Sequence, residues 1–547
     1  MGLLRPDPLL VIGPPLSPKQ RAAPVQLPPA HPDPAGFIND LHSGAVFRHF
    51  DFLAVFDKKT SLRPRDIEPL RRVGDPLADE AVDILGLAEI RGRGKDALKA
   101  IEEYLEEKDR DLGAERWEAV RKEDVVARLW DEMRNEPPEG VRGYAADAGG
   151  KEDRRATPYD AFEPTVGAPS LAEGQAVFWR YSAQIYSALG HFSLAGGFSA
   201  PKLAAVMHET NYLTSNARDA THKRLLETSL FVIDAMCDMT TGTSRGWRSA
   251  FRVRMLHAQV RRRIANGKGR YNKYDEEANG VPINQADLLA VLGAFMIAPM
   301  WSLRRIGVKV TPREEAAYQV CWRHIGYYLG IDPELLVRLY GQSFHTAETY
   351  FASLAFSIFP SGAPPPDPLA TPQYKILSAI SQRPPAPQNI GHHIELCRLL
   401  LGPSLADQLA LPHGSWRDRL SVDLEIGIGK ALLYFGEAYS RTRVPFLRRR
   451  GKDWEKRRQL WFRRVIELVV VYHLGERRTV FAWRETDKHQ LKLDDVEGEE
   501  PGIEMGPHIG VAVRTEWRNL LIEMGSVLGG AAVAVGGAAL ALARWLR

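Results

Sequence analysis

His257 stands where its side chain could do chemistry. It lies in the segment AFRVRMLHAQVRRRI, in which apolar residues recur three and four positions apart and share one helix face with the histidine. These apolar residues are Ala250, Val253, Val260 and Ile264. An imidazole on such a face is either a core histidine bonded to a backbone carbonyl or an axial ligand of a haem. A haem needs one imidazole that a rigid helix presents inside an apolar pocket.

Two polar residues lie on the preceding apolar segment, THKRLLETSLFVIDAM. Arg224 and Thr228 are four residues apart, so they share a helix face, with Phe231 beside them. Burying an arginine without a partner is costly. Arg224 therefore reaches solvent, pairs with Glu227 or Glu209, or belongs to a site.

Glu209 is the third candidate, at the end of the helical pattern PKLAAVMHET. A carboxylate in an apolar cavity holds its proton more tightly than one in water and can act as a general base. Glutamate is also common at helix ends without any catalytic role. The residue type alone leaves both interpretations open.

Helices must position these residues. Asp287 lies just inside one predicted helix start, and Pro312 suits the first turn of another. We find no strand alternation with hairpin signals, no βαβ rhythm and no internal repeat. The sequence therefore predicts an all-α fold with a globin-like multi-helix core. The segments that form this core are AVFWRYSAQIYSALGHFSLAGGF, KRLLETSLFVIDAMCDM, WRSAFRVRMLHAQVRRRI, NQADLLAVLGAFMIAPMWSLRRIG and PREEAAYQVCWRHIGYYLG.

Composition and motifs exclude several classes of protein. The chain has 547 residues, of which 44% are hydrophobic and 26% charged, and a net charge of +4. This composition is globular and gives no reason to expect a nucleic-acid partner. The three cysteines form no CxxC pair, which excludes a disulfide scaffold and a cysteine-based zinc ribbon. Motifs of hydrolases, kinases and dehydrogenases are absent from the sequence.

The C-terminal end predicts a single-pass membrane anchor. Residues 525–543 contain no charged side chain, which is close to the about 20 residues that a helix needs to cross the hydrocarbon core. Trp545 and the arginines beside it would lie at the interface. The alternative is a Gly- and Ala-rich surface tail that never inserts. The N-terminus shows no signal peptide.

Six parts are predicted along the chain. They are a Pro-rich N-terminal segment (1–35), a charged helical accessory region (36–160), an apolar helical core (165–360), a Pro-rich connector (361–387), a C-terminal helical region (388–520) and the hydrophobic tail (524–546). Residues 441–464 are strongly basic, with aromatic residues between the charges. We interpret this stretch as a solvated helix whose aromatic residues face the core, rather than as a surface for anionic lipid head groups.

Five segments, in the order in which they occur, resemble a family of haem-dependent oxygenases. The family comprises the latex-clearing (rubber oxygenase) proteins and the ER-bound MpaB oxygenases, and the resemblance covers roughly residues 170–360. It implies an all-helical fold around a b-type haem. The segments are SALGHFSLAGGFSAPKLAAVMHETNYL, RLLETSLFVIDAM, FRVRMLHAQVR, GVPINQADLLAVLGAFM and AAYQVCWRHIGYYLGI.

The resemblance also implies roles for individual residues. His257 matches the axial ligand of the haem iron, and Arg224 and Thr228 match the arginine and threonine beside the haem. Glu209 matches the glutamate proposed as the base in rubber oxygenases. The chain departs from some rubber oxygenases at Glu227, where they carry a lysine that can occupy the distal side of the haem. The distal chemistry is therefore expected to differ.

The implied function is an oxygenase that uses haem b and O₂ to cleave a C=C bond in an isoprenoid, a terpenoid or another long apolar substrate. Glu209 would remove an allylic proton, and the alkene would become two carbonyls. A tail anchor, at the endoplasmic reticulum, would suit a substrate that partitions into the bilayer. The alternative is a non-catalytic, membrane-anchored protein of the same family that binds haem or lipid.

Overall fold

Helices dominate the computed structural model of the chain. It describes residues 9–13, 16–22, 24–26, 34–89, 94–143, 168–210, 217–269, 271–359, 364–384, 387–474 and 508–545. Within these residues nearly all regular structure is helical, so the predicted all-α class is confirmed. The predicted division into six parts stays a prediction, and residues 144–167, where the accessory region is expected to meet the core, lie outside the described residues.

Short strands and helices alternate near the N-terminus, and helices follow along the rest of the described chain. The strands are β1 (Leu10–Ile12), β2 (Val25–Gln26), β3 (Ala45–His49) and β4 (Phe52–Phe56). The helices up to residue 143 are α1 (Pro18–Ala22), α2 (Pro34–Asn39), α3 (Pro64–Ile67), α4 (Pro76–Ile84), α5 (Ala97–Leu112), α6 (Ala114–Val120), α7 (Val125–Arg134) and α8 (Glu139–Arg142). The central helices are α9 (Leu171–Arg180), α10 (Ser182–Ala188), α11 (Pro201–Thr210), α12 (Arg218–Cys237), α13 (Arg245–Ala265), α14 (Glu276–Asn279), α15 (Gln285–Arg305), α16 (Pro312–Tyr328), α17 (Pro333–Tyr340) and α18 (Phe344–Ile358). The C-terminal helices are α19 (Pro372–Ile380), α20 (Ile390–Leu401), α21 (Pro403–Gln408), α22 (Trp416–Ser440), α23 (Pro445–Leu474) and α24 (Ile509–Trp545).

Two core helices begin where the sequence predicts. The side chain of Asn284 caps α15 and accepts a hydrogen bond from the backbone N–H of Asp287. Thr311 caps α16, where Pro312 is the first helical residue and Glu314 completes a capping box. Both starts are fixed by local hydrogen bonds, which explains why residue types alone could locate them.

The predicted helical accessory region (36–160) also contains strands β3 and β4, and β1 and β2 lie in the Pro-rich segment before it. The four strands form one small sheet in the order β1-β4-β3-β2, with β3 and β4 as an antiparallel hairpin. Only Phe50 and Asp51 connect these two strands, and Phe50 has a φ of 52°. A left-handed conformation is unfavourable for a bulky residue, and the usual Asn-Gly or Asp-Gly turn signal is missing. The hairpin therefore left no recognisable turn signal in the sequence.

The basic side of α13 packs against the helices that precede it in the chain. Its arginines at 252, 254 and 261 are buried and form ion pairs with aspartates at or near the starts of α4 and α5. The pairs are Arg252 with Asp96 (2.6 Å), Arg254 with Asp75 (2.6 Å) and Arg261 with Asp79 (2.8 Å). Each buried charge thus has a hydrogen-bonded partner, which burial requires.

Within the part of the chain that the structure describes, two helices are long and apolar enough to cross a membrane. The first is α15, but 83% of its most apolar window is buried, so it is a core helix. The second is the part of α24 from Ile509 to Gly536, and only 6% of its most apolar window is buried. Residues of α24 up to Val527 pack on α22 and α23, and its later residues that can be described are exposed. α24 is therefore the candidate anchor.

Candidate functional site

His257 lies near the middle of α13, and its imidazole is neutral. Burial lowers its pKa to about 3, and the nearby cation of Arg261 acts in the same direction. Its Nδ1 atom is buried and has no hydrogen-bond partner among the described residues. A core histidine bonded to a backbone carbonyl is therefore not what the structure shows at Nδ1. The ring keeps an unused nitrogen for another partner.

α13 has two contrasting faces. The arginine face is buried in ion pairs, whereas on the apolar face Ala250 and Val260 are buried and His257 is only partly buried. The other partly exposed members of this face are Val253, Leu256 and Ile264. Apolar side chains on a core helix normally lose nearly all contact with solvent. A partly open apolar face that carries a neutral imidazole is the kind of surface that an apolar cofactor would cover.

α12 packs beside α13 and carries a buried ion pair. Nη1 of Arg224 donates to Oε2 of Glu227 over 2.7 Å, and both side chains are buried. The hydroxyl of Thr228 donates to the backbone carbonyl of Arg224 over 3.2 Å. Of the partners considered for Arg224, Glu227 is the one observed. The role of Arg224 and Thr228 beside a haem stays a prediction.

Glu209, the last residue but one of α11, lies in a set of backbone amides rather than in an apolar cavity. Its Oε2 accepts hydrogen bonds from the backbone N–H groups of Tyr271 and Asn272 at 3.0 and 3.1 Å. Its Oε1 accepts one from the N–H of Lys273 at 2.9 Å. Asn272 has a φ of 48°, so consecutive amides converge in an anion-binding nest. We call residues 271–273 the amide nest.

The contact between Glu209 and the amide nest links two elements of the fold. It joins the end of α11 to the loop that follows α13, the helix with His257. Gly269 lies so close that a Cβ atom there would stand 2.6 Å from Oε2 of Glu209. The structure thus gives this carboxylate a polar environment of backbone amides, and not the apolar cavity that was one of its two interpretations. Gly269 and Asn272 in the loop sequence are the signals that could have revealed it.

A histidine pair that sequence analysis missed lies in the same core. Residues Leu189–Gly196 form a π-helix, a wide turn that is frequent at functional sites. Within it, Nδ1 of His191 donates to the carbonyl of Ser187 at 2.7 Å, so its Nε2 accepts from Nδ1 of His393 at 3.0 Å. Burial and the neighbouring imidazoles lower the pKa of His393 to about 2. Nε2 of His393 is buried without a partner among the described residues, which makes it a second neutral imidazole with an unused nitrogen.

An apolar cavity opens between the π-helix, α11, α15, α18 and the β3–β4 hairpin. Aromatic side chains make up much of its wall, and His49 and Ser193 are among its few polar residues. Ser193 is bonded to a backbone carbonyl, and burial lowers the pKa of His49 to about 4, so the wall carries no charge from either. The aromatic residues are Phe50, Phe52, Phe192, Phe198, Phe295, Trp301, Phe351, Phe356 and Phe359. The wall of this cavity therefore offers apolar contacts and no charge from either of these polar residues.

Asp287 is a buried carboxyl whose charge is poorly compensated. Burial raises its pKa to about 7, although Arg71 and Lys202 act in the opposite direction. Its Oδ2 accepts from the side-chain amide of Asn284 at 2.9 Å, while Oδ1 is buried with no partner among the described residues. In the sequence, this residue indicates only the start of a helix.

Comparison with known proteins finds a family match for the central part of the chain. Residues 179–428 match the family model described as the catalytic domain of the ER-bound oxygenase mpaB/B' and rubber oxygenase. The resemblance stated from the sequence is thereby confirmed, and the match extends beyond residue 360 to residue 428. A solved structure of latex clearing protein in its closed state shares 15% identity over 72% of this chain and 91% of that chain, with a TM-score of 0.42. No curated protein matches the chain.

Proposed function

We propose, from the premise that residues 179–428 form a rubber oxygenase-like catalytic domain, that the protein is a haem-b-dependent oxygenase. Its reaction would use O₂ to cleave a C=C bond in an isoprenoid, a terpenoid or another long apolar molecule. His257 carries the proposal, because it is a neutral imidazole with an unused nitrogen on a partly open apolar face.

The residues of α13 fit a haem. His257 would ligate the iron, since a neutral imidazole is the form that binds a metal. Val253 and Leu256 on the same face supply the apolar surroundings that a porphyrin needs. When bound, the haem would supply the activation of O₂. The chain would contribute the ligand, the shape of the pocket and the exclusion of water.

The apolar cavity supports an apolar substrate. Its wall includes residues of the π-helix, of α11 and of α15, which all lie in the matched region. An isoprenoid chain offers C–H surface and isolated double bonds and needs no hydrogen bonds, so aromatic walls suffice to hold it. The side chains in the wall would orient the chain by contact alone.

Two polar groups of α12 are proposed to act beside the haem. In the pair of Arg224 and Glu227 the charges compensate each other, which lowers the free-energy cost of burying them next to an apolar cofactor. Thr228 uses its proton on a backbone carbonyl and keeps oxygen lone pairs that can accept a hydrogen bond. We assign Arg224 and Thr228 to the positioning of haem or oxygen.

We propose that the main role of Glu209 is that of a positioning residue. Three backbone N–H groups occupy its carboxylate, and it holds the loop after α13 against α11. To remove an allylic proton it would have to leave the amide nest and then return. The base role implied by the family stays a prediction that turnover measurements must decide.

A second candidate function is binding of haem or lipid without catalysis. The engagement of Glu209 in the amide nest is the observation that favours it, because the family's proposed base is then not free to act. Oxygen uptake with a polyprenyl substrate separates the two. Uptake that depends on the substrate supports the oxygenase, and its absence in haem-loaded protein supports the binding protein.

The location is proposed to be a membrane, with α24 as its anchor. The exposed apolar residues of α24 support this, because a soluble helix rarely leaves such a surface open to water. The endoplasmic reticulum is the membrane that the family resemblance suggests. An anchored enzyme would meet apolar substrates where they are dissolved.

The haem proposal is tested by the absorption spectrum of the purified full chain. Wild type should show a Soret band, and His257→Ala should lose it while the far-UV circular dichroism stays the same. His393→Ala is the matched control, because it removes another buried neutral imidazole from the same core, and it should keep the band. Loss of the band in His393→Ala alone would move the ligand to His393. Absence of the band in wild type after reconstitution with hemin would contradict the proposal.

A further inference from the structure

α23 and α24 form an antiparallel pair with a regular register. Moving from the C-terminal part of α23 towards its start, the partners on α24 come later and later in the chain. Nε1 of Trp461 donates to the carbonyl of Val513 (3.0 Å), Nε of Arg457 pairs with Glu516 (2.6 Å), Nε1 of Trp454 donates to the carbonyl of Leu520 (3.1 Å), and Nε of Arg450 pairs with Glu523 (3.5 Å). Leu447 and Val527 close the series in one apolar cluster.

This register places the start of α23 level with about residue 529 of α24. α23 begins at Pro445, so it offers no partner to the residues of α24 beyond that level. Exposure rises there, from 54% for Leu528 to 77% for Val533 and 70% for Val535. The helix continues to Trp545, which at 1.5 Å per residue is a projection of about 24 Å.

The connection between α22 and α23 lies at the level where the projection begins. We call residues 441–450, with the sequence RTRVPFLRRR, the arginine turn. Arg443, Arg448 and Arg449 are exposed, and their side chains make no ion pair with the described residues. Val444 and Phe446 between them are 50% and 65% exposed. The turn therefore presents cations and apolar side chains together.

We propose that the arginine turn is a docking surface for anionic lipid head groups. The proposal rests on α24 as the membrane anchor. A projection of about 24 Å is shorter than the hydrocarbon core of about 30 Å, so the helix can enter most of that core only if the bilayer surface comes up to the protein body. The turn lies at that surface. Its guanidinium groups would donate to head-group phosphates, and Phe446 would enter the interface.

The surroundings of the turn favour lipid over an acidic protein as the partner. Glu523 and Glu437 are paired with Arg450, Arg457 and Arg441, so neither is taken up by the exposed arginines. Arg443, Arg448 and Arg449 form no ion pair with the described residues, and their positive charge remains available to a ligand. It is continuous with the apolar surface of α24, and cations next to an apolar surface are the pattern of membrane-binding elements.

The experiment is cosedimentation of the full chain with vesicles of phosphatidylcholine alone and with vesicles that also contain about 30% phosphatidylserine, which supplies an anionic surface. The test variant replaces Arg443, Arg448 and Arg449 by glutamine. The control variant replaces three exposed cations on α6 and α7 and the link between them, namely Arg116, Lys122 and Arg128, by glutamine. Wild type and control should bind the anionic vesicles about 100-fold more tightly than the neutral ones, at about 1 kcal/mol for each basic residue, and the test variant should lose this difference.

Val535→Asp separates the turn from the anchor. It places a charge in the projecting part of α24 and should weaken binding to both kinds of vesicle, with the anionic preference retained. If the test variant keeps its preference for anionic vesicles, the proposed lipid-binding role of the arginine turn is wrong. If wild type does not bind neutral vesicles, the proposed role of α24 as the anchor is wrong instead. Binding to polyglutamate that the test variant loses, without any preference for anionic vesicles, would assign the turn to an acidic protein and overturn the lipid proposal.

Discussion

Two arginine-rich segments of this protein look alike in sequence and differ completely in structure. The arginines of α13 at 252, 254 and 261 are buried, and each pairs with a carboxylate from the N-terminal helices. The arginine turn is exposed, and Arg443, Arg448 and Arg449 are left without ion pairs to the described residues. A run of basic residues therefore says little until its partners are known. Buried ion pairs hold helices together in the fold, whereas exposed cations without a partner remain available to bind a ligand.

Removing one arginine from each segment should give the largest contrast. Arg254→Met leaves the carboxylate of Asp75 buried without its cation, and should lower the free energy of unfolding by about 3–5 kcal/mol. Arg448→Met removes an exposed cation and should change it by less than about 0.5 kcal/mol. Denaturant titration of both variants measures the contrast. Similar small effects would mean that the ion pairs of α13 contribute nothing.

Glu209 extends the comparison of buried and exposed charges, because it is a buried carboxylate whose partners are backbone amides. Glu209→Gln places an NH₂ group against N–H donors and should cost about 1–3 kcal/mol of stability. It should also speed hydrogen exchange at the amides of residues 271–273. Glu277→Gln, an exposed glutamate in the same region, is the control and should change neither quantity. A loss of turnover with normal stability and exchange would instead identify Glu209 as the base.

A buried carboxyl with too few partners gives the smallest and most pH-dependent effect. The pKa of Asp287 is about 7 when folded, above its ordinary value of 3.8, so its stabilising contribution is complete below about pH 3.8 and is lost as the pH rises through 7. Between pH 6 and 8 this group should cost the wild type about 1.4 kcal/mol. Asp287→Asn should remove this loss, and exposed Asp109→Asn should not. Stability curves of the three proteins that run parallel would contradict the raised pKa.

Features of the fold that depend on residues only a few positions apart could be predicted from the sequence. The apolar face of α13, the position of His257 on it and the starts of α15 and α16 all depend on neighbours within a few residues. The family match then confirmed the region that carries these elements. Local spacing was enough because a helix face and a helix cap are both local properties.

Partners from distant parts of the chain could not be predicted in this way. Arg254 lies 179 residues from Asp75, and Glu209 lies 62 to 64 residues from the amide nest. The residue types show that these side chains need a charged or hydrogen-bonding partner, but they do not show which residue supplies it. The register of α23 with α24 was equally hidden, so the basic stretch was interpreted from composition alone. Its aromatic residue Trp454 does face inward, as expected.

The ion pairs of α13 also affect the order in which parts of the chain can fold during synthesis. The aspartates at 75, 79 and 96 emerge from the ribosome long before their arginines, which follow 156 to 182 residues later. At 5–20 residues per second this delay lasts roughly 10–35 s. During that time the N-terminal helices carry carboxylates whose cations have not been made, and their final packing must wait for α13. The first quarter of the protein is thus completed by a helix from its middle, and synthesis that stalls between the two would leave it unfinished.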